Sequence, residues 1–235
     1  EGGGLGSFHP KEIGPATTLT KNGVIDVLVE NEEEAVKIAK KYLSYFQGRT
    51  PKWEEHQQRK LYSILPEDRR YAYDATKIIE VIADKDSVLE LRKEFAQNMI
   101  TSLIRIEGKP MGLIANSTRI LGGAIDSNAA DKAARFLQLC NAFGLAVISL
   151  CDTPGFMVGP DHEQQGLIRH SSRLFIAAAS LEVPMITIIL RKAYGLGAMA
   201  MAGGSFHASF LTLSWQSGEF GAMGLEGAVK LGFKK

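Results

Sequence analysis

Cysteine is scarce in this 235-residue chain: Cys140 and Cys151 are the only two, and neither lies in a CxxC pair or beside a histidine at metal-ligand spacing. No cysteine metal site is expected, and a reduced intracellular compartment is the simplest reading. Cys140 shares a helical face with Ala133 and Leu137, and Cys151 ends an apolar strand, so both read as small buried hydrophobes, with a catalytic thiolate as the alternative. Long apolar runs are missing too. The longest, around 145–151 and 183–190, fall far short of the ~20 residues that cross a bilayer, so no span is expected. Charge of one sign is not in excess: 27 Lys+Arg face 26 Asp+Glu, net +1, and the two signs are interspersed. Nucleic acid is therefore not an expected partner. The chain begins Glu1-Gly2-Gly3-Gly4 without an initiator Met, a signal-peptide apolar region or an Arg-rich transit pattern. It closes on Gly232-Phe233-Lys234-Lys235, and reads as a fragment. With 45% hydrophobic and 23% charged residues, it can bury a sizeable core as one large domain or a domain plus an appendage, and neither disorder nor a collagen repeat fits.

Residues 1–23 are rich in Gly, Pro and Thr, and 24–29 read as a short β-branched strand. A helix capped by Asn31 should follow, with Glu32, Glu33 and Glu34 at its positive end and Ala35, Ile38, Tyr42 and Phe46 at helical spacing. Residues 48–73 have two prolines, many charges and little periodicity, which predicts a linker and a domain boundary. Ser87-Val88-Leu89-Glu90 fits a capping box opening a short helix. Residues 103–107 and 111–116 should form a hairpin around Gly108-Lys109-Pro110. A helix from the caps Asp126-Ser127-Asn128 to about Phe143, stopped by Gly144, precedes a strand at 145–151. After a loop at 152–161 come a helix carrying Leu167, Ile168, Leu174, Phe175, Ala178 and Leu181, a buried strand at 183–190, and a small-residue helix at 197–202. Strands alternating with helices predict an α/β architecture with a mainly parallel sheet.

Gly195-Leu196-Gly197-Ala198-Met199-Ala200 fits G-x-G-x-x-A formally. Four residues, Arg191 to Tyr194, separate it from the expected strand, and no acid is placed to hold a ribose, so dinucleotide binding is disfavoured. What remains is a helix start without bulky side chains whose backbone N–H groups can stabilise an oxyanion. Leu121-Gly122-Gly123-Ala124 is a second glycine corner between a strand and a helix; the two corners either converge or are merely tight turns. In Asp152-Thr153-Pro154-Gly155-Phe156-Met157, the side chains of Phe156 and Met157 either wall a pocket or plug the core. His162-Glu163-Gln164-Gln165-Gly166 lacks the second ligand of H-E-x-x-H, and Gly203-Gly204-Ser205-Phe206-His207 lacks the closing Gly of a nucleophile elbow. His9, His56, His170 and His207 show no partner spacing and read as structural or solvated. Arg169, Arg173, Arg191 and Lys192 could meet a carboxylate or phosphate, or be solvated surface charge.

Five motifs then carry a resemblance. They are Gly122-Gly123-Ala124-Ile125-Asp126, Ala130-Asp131-Lys132-Ala133-Ala134-Arg135-Phe136, Asp152-Thr153-Pro154-Gly155-Phe156, Arg191-Lys192-Ala193-Tyr194-Gly195 and Met223-Gly224-Leu225-Glu226-Gly227-Ala228. In this order they resemble the C-terminal half of the β-type carboxyltransferase subunit of biotin-dependent acyl-CoA carboxylases, of the propionyl-CoA and acetyl-CoA type. The resemblance implies a crotonase (ClpP/crotonase-like) fold with repeated ββα units. Residues 1–47 would be the close of the N-terminal half, 48–73 a linker, and 74–235 the C-terminal, biotin-side half. The implied reaction moves a carboxyl group from carboxybiotin, borne on a carrier domain, to the α-carbon of an acyl-CoA. The resemblance implies no metal at this site; backbone donors would stabilise the two oxyanions, and no acid/base dyad stands out because the decarboxylated biotin would itself remove the α-proton. Those donors would be Gly197 and Ala198, slipping to Gly195 or Leu196 because some members read Tyr-Gly-Gly-Ala here, with Ala124 a secondary candidate. Tyr194, Leu196, Gly123 and Phe156 would line the biotin site, and Gly197→Val should abolish transfer while leaving the fold intact. Implied partners are biotin carboxylase, the biotin carboxyl carrier, acyl-CoA and further copies of the chain, in the cytoplasm or, in a eukaryote, the mitochondrial matrix. The alternatives are a CoA-ester decarboxylase, another crotonase-type CoA enzyme, or a non-catalytic fragment that docks the biotin carrier.

Overall fold

The computed structural model describes residues 3–233, so Glu1, Gly2, Lys234 and Lys235 lie outside the described residues. Two helices open the chain, α1 (Ala16–Lys21) and α2 (Glu32–Ser44), the second capped as expected by Asn31, whose side chain accepts the Glu34 N–H at 2.9 Å. Residues 24–29 form no strand. Their one backbone link to the sheet region is the bond from Arg92 N–H to Asp26 O, and β-branched residues without a neighbouring strand gain nothing from an extended ladder. Residues 48–73 are irregular apart from a 3₁₀ turn, Gln58–Ser63.

The helix expected at Ser87 is not there. The residues belong instead to the approach and start of β1 (Leu89–Leu91), whose Leu89 and Leu91 both face the core. The helix of this region is α3 (Ala75–Ile82), capped by Asp74. The hairpin then runs longer than expected, β2 (Met99–Ile106) and β3 (Lys109–Asn116). Its turn is Glu107-Gly108, at φ 51° and 75°, the left-handed pair that matches strand twist in a two-residue loop.

From here the chain alternates. Helix α4 (Ser127–Ala142), capped by Asp126, leads to β4 (Val147–Thr153), and the short α5 (Pro160–Gln164) and then α6 (Leu167–Ala179) lead to β5 (Met185–Tyr194). Helix α7 (Gly195–Met201), β6 (Leu211–Ser214), β7 (Glu219–Gly221) and α8 (Leu225–Gly232) complete the order. Strand β5 thus absorbs the four residues expected to separate it from the glycines, and α7 starts at Gly195 rather than Gly197.

The strands form one seven-stranded sheet in the order β1-β2-β3-β4-β5-β6, with β7 pairing β5. Pairs from β3 onward are parallel, and β1-β2-β3 are antiparallel. Central β4 is buried along its whole length, which is why its sequence reads as an apolar run rather than an alternation. One core lies between the sheet and α4, α6 and α7, and a second holds Ile78 and Ile79 of α3 against Ile104, Leu113 and Leu150. Three parallel strands, β3, β4 and β5, therefore end side by side beneath the turns that follow them.

Candidate active site

Three turns meet at the C-terminal ends of these strands, the place where open α/β sheets present loops to ligands. They are the 3₁₀ turn Leu121–Gly123 beyond β3, the loop 153–157 after β4, and the first turn of α7 after β5. Ile125 N–H donates to Gly155 O at 3.0 Å and Met157 N–H returns to Ile125 O at 2.9 Å. On the other side of the same loop, a Cβ on Gly197 would stand 2.7 Å from the Gly155 carbonyl carbon and 3.0 Å from Phe156 N. Lys192 Nζ closes the set by donating to Gly122 O at 2.9 Å. The two glycine corners do converge, with the 153–157 loop between them.

Glycine is obligatory at two of these points. Gly123, at φ 87°, has no room for a Cβ, which would fall 2.4 Å from Asp152 O. Gly197 is excluded from branching by main-chain atoms that cannot swing away, so Gly197→Val would damage the fold and cannot isolate chemistry as expected from sequence.

The donors at α7 follow from its geometry. Gly195 enters at φ 58°, outside helical backbone, and the N–H groups of the first turn have no intrahelical acceptor. Leu196 turns its side chain to solvent, 63% exposed, whereas Gly197 and Ala198 are both buried. Ala124 offers no free donor, because its N–H goes to Leu121 O at 3.0 Å, and Gly123 N–H likewise goes to Ile120 O. Phe156 is half-buried against the core, its ring 6.1 Å from that of Phe175, so it plugs as well as lines. Tyr194 is buried, and its hydroxyl bonds the Glu219 carboxylate, which also pairs with Arg69. Burial pushes its phenol above the ordinary tyrosine value.

Beneath the turns sits a group that sequence reasoning passed over. The Asp152 carboxylate, 0% exposed, accepts Arg191 Nε at 2.7 Å and Lys192 N–H at 3.2 Å, while Asp152 N–H donates to Asn116 Oδ1 at 3.1 Å. Arg191 is thus internal, neither surface charge nor ligand clamp: its Nη1 donates to Arg69 O and Tyr71 O, and its guanidinium lies over the Tyr73 ring. An Asp opening a loop and an Arg 39 residues later give no local signal of this pairing. His170 also has a partner that spacing hid, Asp131 Oδ2 at 2.7 Å, with Arg173 on the same carboxylate. Among the described residues no group of three or more His, Cys, Asp or Glu is placed to hold a metal ion. Both cysteines are buried, and burial pushes the Cys140 thiol to about 12 and Cys151 higher still, far from a thiolate at neutral pH.

Comparison with known proteins gives concordant findings. The family described as carboxyl transferase domain matches residues 9–235. The methylmalonyl-CoA carboxyltransferase 12S subunit of Propionibacterium freudenreichii is 35% identical over 95% of this chain and 44% of its own length. The propionyl-CoA carboxylase beta chain of Roseobacter denitrificans is 33% identical over 94% of this chain and 45% of its own. Among solved structures, a single-chain, multi-domain long-chain acyl-CoA carboxylase superposes with a TM-score of 0.96 at 55% identity, covering all of this chain and 23% of that one. A transcarboxylase 12S hexamer with methylmalonyl-CoA bound gives 0.86 at 32% identity, over 97% of this chain and 45% of that one. The chain spans less than half the length of these relatives.

Proposed function

We propose, from the premise that the chain belongs to the carboxyl transferase domain family, that it forms the biotin-side half of a carboxyltransferase in a biotin-dependent acyl-CoA carboxylase. Its fold is the crotonase-like α/β fold of that family. The observation that carries the reading is the meeting of the two glycine corners around Gly155, which leaves the first-turn N–H groups of α7 as preorganised donors.

The start of α7 fits the ureido ring of biotin. Gly195 and Gly197 have no side chains and Leu196 points away, so a flat, neutral acceptor oxygen can approach Leu196 N–H and Gly197 N–H. Biotin, brought by a carrier domain, supplies the carboxyl group and the base for the α-proton of the acyl-CoA. The chain's own residues do the rest. Leu196 and Gly197 hold the oxygen on which negative charge develops, and such a donor is worth roughly 10²-fold or more in rate. Tyr194, held by Glu219, and Phe156 flank that position and restrict water. Asp152 and Arg191 hold the ends of β4 and β5 in register under the donors. No acid/base side chain is required of this half.

We read residues 1–47 as the close of a preceding half, 48–73 as a linker and 74–235 as the biotin-side half. Biotin carboxylase, the biotin carrier, acyl-CoA and further copies of the chain are its proposed partners, and the exposed apolar side chains of Phe210, Leu211, Leu213 and Phe220 suit assembly. Saturation-transfer NMR of the chain with biotin, with NADH as control, tests the reading. Biotin signals are expected and NADH signals are not. Biotin silence together with NADH binding would replace carboxyl transfer by nucleotide chemistry.

A further inference from the structure

Helix α3 and the β1-β2 edge enclose a cavity of about 130 Å³ on the face of the sheet away from α4, α6 and α7. Its polar lining follows from strand register. Glu90 of β1 pairs with Ser102 of β2, and Leu89 and Leu91 on either side of Glu90 turn to the other face. Cross-strand partners of this kind hold their Cβ atoms about 5 Å apart. Thr76 and Glu80 of α3, one helical turn from each other, close the cavity from above. Ile79, Val88 and Ile100 supply apolar wall between the polar groups.

These polar groups lack donors. Ser102 is 1% exposed, and its hydroxyl has no hydrogen-bond partner, an arrangement that is destabilising unless something in the cavity meets it. The half-buried Glu90 carboxylate takes no hydrogen bond and no ion pair among the described residues. Burial is the main cause that raises its carboxyl above the ordinary glutamate value; Lys132 and Lys93 oppose the rise only at longer range. The Lys132 ammonium is committed elsewhere, to Phe95 O. Thr76 Oγ1 gives its own proton to Asp74 Oδ1 at 2.6 Å, so toward a ligand it can only accept. Two carboxylates, Glu80 and Glu90, against the single ammonium of Lys93 leave the lining with a net charge of −1. A cavity rich in acceptors, negative and part apolar selects a cationic donor on an apolar stem. At ~30 Å³ for each water-sized group, it has room for about four non-hydrogen atoms.

We propose that this cavity binds a small primary alkylammonium ion, its ammonium against Glu90 and the Ser102 hydroxyl and its stem against Ile79, Val88 and Ile100. An ammonium has three donors, and Glu90, Ser102 and Thr76 offer three acceptors. The site lies on the opposite face of the sheet from α7 and owes nothing to the carboxyltransferase reading.

The probe is propylammonium chloride, titrated into the ¹⁵N-labelled chain at constant ionic strength, with potassium chloride and propan-1-ol as controls. Saturable shifts are expected at the amides of Thr76, Glu90 and Ser102. Glu90→Gln keeps the size of the side chain but removes its charge, and should weaken binding by about tenfold or more. Ser102→Ala deletes a hydroxyl that bonds nothing in the free chain, and should weaken binding about threefold or more with the fold intact. Stability gives an independent reading. Without amine, Ser102→Ala should have the higher urea midpoint; saturating propylammonium should raise the midpoint of the unaltered chain more than that of the variant. Equal shifts with potassium would reduce the site to a counter-ion effect, and equal affinity for propan-1-ol to an apolar hole. Either result overturns the proposal, as do unchanged binding in both variants, an equal midpoint response in Ser102→Ala and the unaltered chain, or no saturable response at all.

Discussion

Gly197 and Gly155 approach each other so closely that a methyl group on Gly197 would stand 2.8 Å from the Gly155 Cα. The contact joins the first turn of α7 to the loop after β4 without any side chain. Gly197→Ala must push main chain apart, and overpacking of this kind costs about 1–3 kcal/mol. The unfolding free energy should fall by that amount, read as a lower urea midpoint at unchanged slope. An unshifted midpoint would show that the loop is not held against α7 in solution.

Leu196→Pro separates chemistry from folding where Gly197 substitutions cannot. Proline is tolerated in the first turn of a helix, since the N–H it removes has no helical acceptor. The side chain it replaces is mostly exposed, and the preceding residue is glycine, which has no Cβ to clash with the ring. The expected outcome is a loss of carboxyl transfer of about 10²-fold with little change in stability. Undiminished turnover in the folded variant would remove Leu196 N–H from the donor pair and return the assignment to Gly197 and Ala198.

Burial pulls the Lys132 ammonium down from 10.5 to about 8, against the opposing pull of the Glu90 carboxylate. Its Nζ donates to Phe95 O at 2.7 Å. Between about pH 8 and 10.5 the unfolded chain holds a proton that the folded chain has released, so this group makes stability rise with pH across that window, by at most about 1.4 kcal/mol per unit. Lys132→Met should abolish the rise. Unfolding midpoints at pH 7.5, 9 and 10, taken as the difference between the two proteins, isolate the effect, because the buried thiols and phenols act with opposite sign but equally in both. A flat difference would mean that Lys132 titrates as an ordinary lysine.

Much of this architecture was legible locally. The Asp126 cap, the apolar stripe of α6, Gly144 after α4 and the apolar run of β4 are short-range signals, and each became the expected element within a few residues. The capping box at Ser87 failed because Leu89 and Leu91 bury on alternate positions, and pairing of Leu89 with Leu103 outweighs a local cap. The segment 24–29 failed for the converse reason, strand-forming residues with no strand beside them. Ala124 was a plausible donor by motif, but its N–H is taken up by the Leu121 carbonyl, and that event is not written in the residue type.

The sequence by itself determined the alternation of strands and helices, the two glycine corners and the order of motifs that marks the family, since all of these rest on residues close in the chain. Only the tertiary structure decided that the corners meet around Gly155, that Arg191 turns inward to Asp152, and that Lys192 reaches both Asp152 and the Gly122 carbonyl. Each depends on strands 30 to 40 residues apart lying side by side, and on a register shift that moves two side chains at once. Charge pairing and close backbone approach are properties of distance in space, and spacing along the chain does not encode them.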